Sequence, residues 1–208
     1  MPKETGLMFK GPLVRAILEG RKTQTRRIVK RLPLRINRDA NAMEIDVANI
    51  ENGEFAKRVP CPMGQPGDRI YVRETWQHAN FPLGPYQEGT PVFYRADYLH
   101  ESDPDYADAE RTVRRNWLPS IHMPKQAARI WLEITGVRVE RLQSISESDA
   151  QAEGCSLECM TPTGDDCGSA IWGPGGFKAL WESTGGDWAA NPWVWVIDFK
   201  RIKQETTA

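Results

Sequence analysis

Within the eight residues Gly20-Arg21-Lys22-Thr23-Gln24-Thr25-Arg26-Arg27 the chain gathers a lysine amine, two threonine hydroxyls and three guanidinium groups. Guanidinium groups are permanent cations with a forked set of donors, and a dense group of them suits an anionic or strongly polar ligand. A nucleotide or a segment of RNA fits that description. The hydroxyls and the amine add nucleophiles to the same short stretch. The plainer alternative is a half-exposed strand whose charged and threonine residues alternate on a solvated face.

The elements that must position this run can be read on either side of it. Leu7 to Lys10 reads as a short first strand. Pro12 opens a helix whose buried stripe is Val14, Ile17 and Leu18, and Gly20 suits the left-handed stop after its last turn. The run therefore begins in a tight turn and continues as a strand. Residues 31–60 are polar and weakly periodic, an inserted excursion with a small hairpin. Gln65-Pro66-Gly67-Asp68 has the order of a type II turn. Ile70 to Trp76 reads as a strand with Ile70, Val72 and Trp76 on one face and Arg73 and Thr75 on the other. A second strand covers Val92 to Ala96, and the acidic stretch from Asp97 to Arg115 is expected to face solvent.

From Ala127 onward Ile130, Leu132 and Ile134 alternate. The apolar phase changes parity after Thr135-Gly136, to Val137 and Val139, as at a bulge. Residues 144–154 suit a short helix, with Ser148 and Gln151 as a capping box and Gly154 as the stop. Residues 155–175 form a loop rich in Gly, Cys and Asp. Phe177, Leu180 and Trp181 mark another helix, and Trp193, Trp195, Ile197 and Phe199 mark a strand central to the core. Strands separated by short helices, without regular βαβ alternation, predict an α+β fold. Its expected form is a small, mostly antiparallel β-barrel with short helices at its ends. The whole of 1–208 reads as a single domain with loop insertions at about 31–60 and 97–125.

Bulk composition limits the functions open to the chain. Over 208 residues, 27 Lys and Arg balance 28 Asp and Glu, so any nucleic-acid contact is a local patch and not a property of the whole surface. No apolar run is long enough to span a membrane, and the N-terminus has no signal-peptide pattern, which predicts a cytoplasmic protein with reduced thiols. Cys155, Cys159 and Cys167 cluster, but their spacing fits no standard zinc pattern, so no metal is expected. Arg73, Glu74 and Trp76 are candidate pocket-wall residues: an arginine for a phosphate, a carboxylate for a polar ligand or an arginine partner, and a ring for base stacking. His122 is expected to be a packed loop histidine, and Trp193 and Trp195 core rings.

Three segments in order carry a family likeness: the Gly20–Arg27 run, Pro66-Gly67-Asp68, and the ending Trp193-Val194-Trp195-Val196-Ile197-Asp198-Phe199. Together they resemble the ASCH domain, a family of the PUA-like superfamily of RNA-associated β-barrels. Trp117-Leu118-Pro119-Ser120-Ile121-His122-Met123-Pro124 resembles the longer phage and prophage members. One bacterial ASCH group consists of N4-acetylcytidine amidohydrolases, which remove the acetyl group from the exocyclic amine of the modified nucleoside. The resemblance implies Lys22 as proton acceptor, Thr25 as nucleophile and Glu153 as proton donor, without a metal or organic cofactor. Arg21, Arg26, Arg73, Glu74 and Trp76 are then expected around the substrate. Arg26 stands where that group usually has an apolar residue.

Amide hydrolysis needs a nucleophile, a base and an acid. Lys22 can be the base only if its amine is largely neutral, the direction in which burial and neighbouring arginines push it. Positions 22 and 25 of one regular strand face opposite sides. Lys22 and Thr25 therefore converge only if Lys22 precedes the strand or a bulge separates them. The expected ligand is a modified nucleoside or single-stranded RNA. The alternative readings are an RNA-binding module and a metal-independent ribonuclease using the same basic cleft.

Overall fold

A computed structural model describes residues 1–29, 44–48, 55–98, 117–155 and 174–203, with 44–48, 55–59 and 174–175 described as backbone only. The chain is a mixed α+β fold. Its main sheet has the order β1-β5-β8-β9-β2, built from β1 (Glu4–Met8), β2 (Gln24–Ile28), β5 (Arg69–Arg73), β8 (Trp131–Arg141) and β9 (Trp193–Ile202). The β1–β5 pair is parallel and the remaining pairs are antiparallel. Two hairpins stand apart from it: β3 (Glu44–Ala48) with β4 (Phe55–Pro60), inside the predicted first insertion, and β6 (Trp76–His78) with β7 (Val92–Tyr94). Among the described strands no ladder joins the two edges, β1 and β2.

Among the described residues three α-helices frame the sheet. Helix α1 (Gly11–Leu18) starts one residue before the predicted proline and buries Val14, Ala16 and Ile17. It stops at Gly20, whose φ of 76° is the left-handed conformation that a glycine reaches without a Cβ penalty. Helix α2 (Glu147–Ala152) is capped by Ser146, whose hydroxyl accepts from the Asp149 amide at 3.1 Å. The capping residue is thus two positions before the predicted Ser148, because Ser146 has the extended backbone that a cap requires. Helix α3 (Pro174–Ser183) supplies Phe177 and Trp181 to the interior.

The predicted turn is made, with the Asp68 amide donating to the Gln65 carbonyl at 2.9 Å. A register shift between Ile134 and Gly136 is the bulge that the change of parity announced. The predicted 70–76 strand is corrected: β5 ends at Arg73, the Glu74 amide turns to the Met123 sulfur, and Trp76 begins β6. Likewise the 92–96 strand ends at Tyr94, and Arg95–Asp97 is a 3-10 turn.

Strand β9 is buried on both faces. Trp195, Ile197 and Phe199 join Ile70, Val72, Leu132 and Ile134 under α1, while Val194 and Val196 join Leu142, Ile145, Phe177 and Trp181 under α2 and α3. A strand covered on both sides reads as a near-continuous apolar run, as Trp193 to Ile197 does. A third cluster packs Trp76 with Met123, Ala127 and Ala128 beside the β6–β7 hairpin.

Candidate functional site

The Gly20–Arg27 run is fixed from both ends before any side chain is considered. The Lys22 amide donates to the Ala16 carbonyl of α1, and the Thr23 amide donates to the Ala152 carbonyl of α2, at 3.0 and 2.8 Å. The Thr23 carbonyl accepts from the Phe199 amide of β9 at 2.8 Å. Strand β2 starts only at Gln24. Lys22 therefore precedes the strand, the condition under which it and Thr25 can share a side. Thr25 pairs opposite Ile197 and so lies on the face of the larger core cluster. The Lys22 amine stands 5.9 Å from the Phe9 ring of that same cluster.

Lys22 is buried, and its amine uses all three of its protons. It donates to the Gln24 carbonyl at 2.7 Å, to the Glu153 carbonyl at 2.8 Å and to Glu153 Oε2 at 2.6 Å. The first of these carbonyls belongs to the peptide that leads into Thr25, so the amine sits beside that residue's main chain. Burial pushes the Lys22 amine below the ordinary lysine range; Glu153 pulls it up, and the charge of Arg27 pushes it down again. Thr25 and Glu153 are buried as well. Glu153 is the C-cap residue of α2, and Gly154 follows at φ 83°. A Cβ on Gly154 would meet those of Ala16 and Lys22 at 3.0 Å, so this close approach of α2 to the lysine requires glycine.

The second oxygen of Glu153 belongs to Arg26, whose Nη1 donates to Glu153 Oε1 at 3.2 Å. Arg26 also bonds the Gln24 side chain, lies 3.4 Å from Glu140 and 3.3 Å from Asp149, and stacks over the Phe177 ring. Gln24 donates to Asp149 and Asp198, and Arg138 bridges Glu140, Asp149 and Asp198. Burial pushes the Asp149 carboxyl up, but the bonds from Gln24 and Ser146 and the charges of Arg138 and Arg26 outweigh it and hold the carboxyl below its ordinary value.

Of the predicted site residues, Lys22 and Glu153 are in direct contact, and Thr25 adjoins the Gln24 carbonyl that Lys22 engages. Arg21 stays at the rim, paired with Glu19. Arg26 needs correction as a ligand-binding residue: its side chain has no exposure and its partners are protein carboxylates. Arg73 alternates along β5 with Ile70 and Val72 of the larger core cluster and so lies on the other face of that strand, where its guanidinium donates to the Ile121 carbonyl. Glu74 is bound bidentately by Arg129 at 2.9 and 3.0 Å. Trp76 is a buried core ring against His78 and Tyr86, so it is no stacking wall. His122 is exposed and not packed. Cys155 is buried, and Cys159 and Cys167 lie outside the described residues.

The sequence reading missed Gln24, Arg27, Glu140 and Asp149. Two signals were available. Gln24 and Arg26 are two apart on a strand and so share a face, and Asp149 and Glu153 are four apart on a helix and so share a side.

No family model and no curated protein matches the chain. A solved structure that resembles it is the crystal structure of protein EF3133 from Enterococcus faecalis V583, described under DUF984, at 13% identity and a TM-score of 0.39. The match covers 100% of this chain and 84% of that one, a likeness too distant to carry fold or function. Among the described residues no helix is long and apolar enough to cross a membrane, and no group of three or more His, Cys, Asp and Glu side chains is arranged to hold a metal ion.

Proposed function

We propose that the chain is a cytoplasmic, phage-type ASCH protein with a PUA-like barrel, and that it hydrolyses the N4-acyl group of a modified cytidine. In this reading Thr25 is the nucleophile, Lys22 the base and Glu153 the acid. The observation that carries it is the 2.6 Å bond between the Lys22 amine and Glu153, with the same amine anchored on the peptide leading into Thr25. Barrel closure is supported by Arg27, which donates from β2 to the Met8 carbonyl of β1 at 3.0 Å and so ties together the two edges of the main sheet.

The chemistry follows from one shared proton. Transfer from Lys22 to Glu153 leaves a neutral amine and a neutral carboxylic acid, which creates base and acid in one event. The Thr25 hydroxyl then attacks the acyl carbonyl and gives its proton to Lys22. The carbon–nitrogen bond breaks, and Glu153 protonates the departing exocyclic amine. The products are cytidine and an acyl ester on Thr25, with Lys22 and Glu153 back in their ionic forms. Water hydrolyses the ester and restores the threonine. These steps use no metal and no organic cofactor.

An RNA-binding module has less support at this position. Lys22 and Arg26 are buried and matched by carboxylates, which leaves them no charge to offer a phosphate. The test is to incubate the protein with N4-acetylcytidine and follow the ultraviolet change on deacylation. Turnover is expected, with a loss of at least about 10³-fold in Thr25→Ala, the scale on which removing a covalent nucleophile acts. Absence of turnover at high enzyme concentration, together with tight, salt-sensitive binding of short single-stranded RNA, would replace the hydrolase by the binding module.

A further inference from the structure

We infer that Arg26 is a positioning residue that takes one oxygen of Glu153 for itself and thereby lowers the pH at which the Lys22 amine loses its proton to solvent. This rests on the Lys22/Thr25/Glu153 reading above. A lysine paired with an otherwise free carboxylate is held as an ammonium by the whole of that charge. In this chain the charge is divided: Oε2 faces Lys22 and Oε1 faces Arg26. The guanidinium is itself held from three directions. Gln24 precedes it on its own strand, Glu140 reaches it from β8 and Asp149 from α2, while the Phe177 ring of α3 covers it. Glu153 accepts from the same guanidinium with which Asp149 forms an ion pair, so Arg26 also docks the end of α2 and fixes where the acid stands.

The charged surroundings are consistent with that division. The Lys22 amine faces Glu153 and Cys155 at the end of α2 and Arg27 on β2, and Glu19 and Arg21 pair with each other outside it. Behind Arg26, Arg138 of β8 and Asp198 of β9 complete the network. Lys178 and Glu182 of α3 are exposed. Arginine suits this task because it stays charged under any condition in which the lysine titrates.

The test reads Lys22 directly. Lysine side chains are labelled with ¹³C and ¹⁵N, and the Lys22 signal is assigned by its loss in Lys22→Met. Its titration is then followed by NMR in the ligand-free protein. Arg26→Met is expected to move the midpoint upward by about one pH unit or more. The basic limb of the N4-acetylcytidine pH profile should move with it. Arg26→Gln keeps donors but no charge and should show the same displacement, which covers the case in which the methionine variant does not fold. Arg26→Lys should restore most of the original midpoint. Ser146→Ala removes the cap of α2 without removing a charge, and should leave the midpoint in place. An unmoved midpoint in both neutral variants, or an equal movement in Ser146→Ala, overturns the inference. A displaced midpoint in a protein that never turns over N4-acetylcytidine would overturn the assigned reaction and leave the role of Arg26 standing.

Discussion

Two buried carboxylates in this chain meet cations in opposite ways. Glu74 sits between β5 and β6 and is gripped by Arg129, which also bonds Asp97 and lies 4.0 Å over the Tyr94 ring. Glu153 sits at the end of α2 between Lys22 and Arg26. The first pair is closed: its fork is fully used and its cation never deprotonates, so the group can hold elements together but cannot pass a proton. In the second pair one cation is a lysine whose amine burial has already weakened as an ammonium. Burial of charge alone therefore does not make a pair able to pass a proton. The cation has to be one that can lose its proton.

The largest expected effect removes that property. Lys22→Met keeps the length of the side chain and leaves Glu153 with Arg26, and turnover should fall by at least about 10³-fold while circular dichroism stays native. Retained turnover would make the two pairs equivalent and end the contrast. Arg129→Met should do the reverse. It strands a buried carboxylate at a cost of about 3–5 kcal/mol, read as a lower denaturation midpoint, with the Lys22 titration unchanged. A neutral effect on stability would mean that the Glu74 pair is not the structural member. Gly154→Ala gives the smallest change: about 1–2 kcal/mol from the left-handed backbone, with turnover reduced by up to about 10²-fold as Lys22 and α2 are pushed apart. Unaltered kinetics there would show that the close approach at Gly154 does not set the catalytic geometry.

The same contrast explains what could be read from the sequence. Local signals were legible: the stop at Gly20, the turn at Gln65–Asp68, the bulge at Gly136 and the β9 strand are written within a few residues of themselves. They gave the order of elements and began the run in a tight turn, but left open whether Lys22 precedes its strand. Long-range pairing was not legible. Arg26 looked like a ligand-binding cation because its carboxylate partners come from β8 and α2, far away along the chain. Trp76 looked like a stacking wall because the break after Arg73 depends on Met123, a contact with no local trace. The proposal of Glu153 as the acid came from resemblance; a glutamate at a helix end announces nothing until Lys22 arrives beside it.

Thr23, which lies between Lys22 and the strand, has its main chain bonded to α2 on one side and to β9 on the other. The loop that bears the amine is thus a woven junction of three elements and cannot swing out alone. Its order is acquired when the protein folds, so a ligand arriving later spends none of its binding energy on freezing this loop.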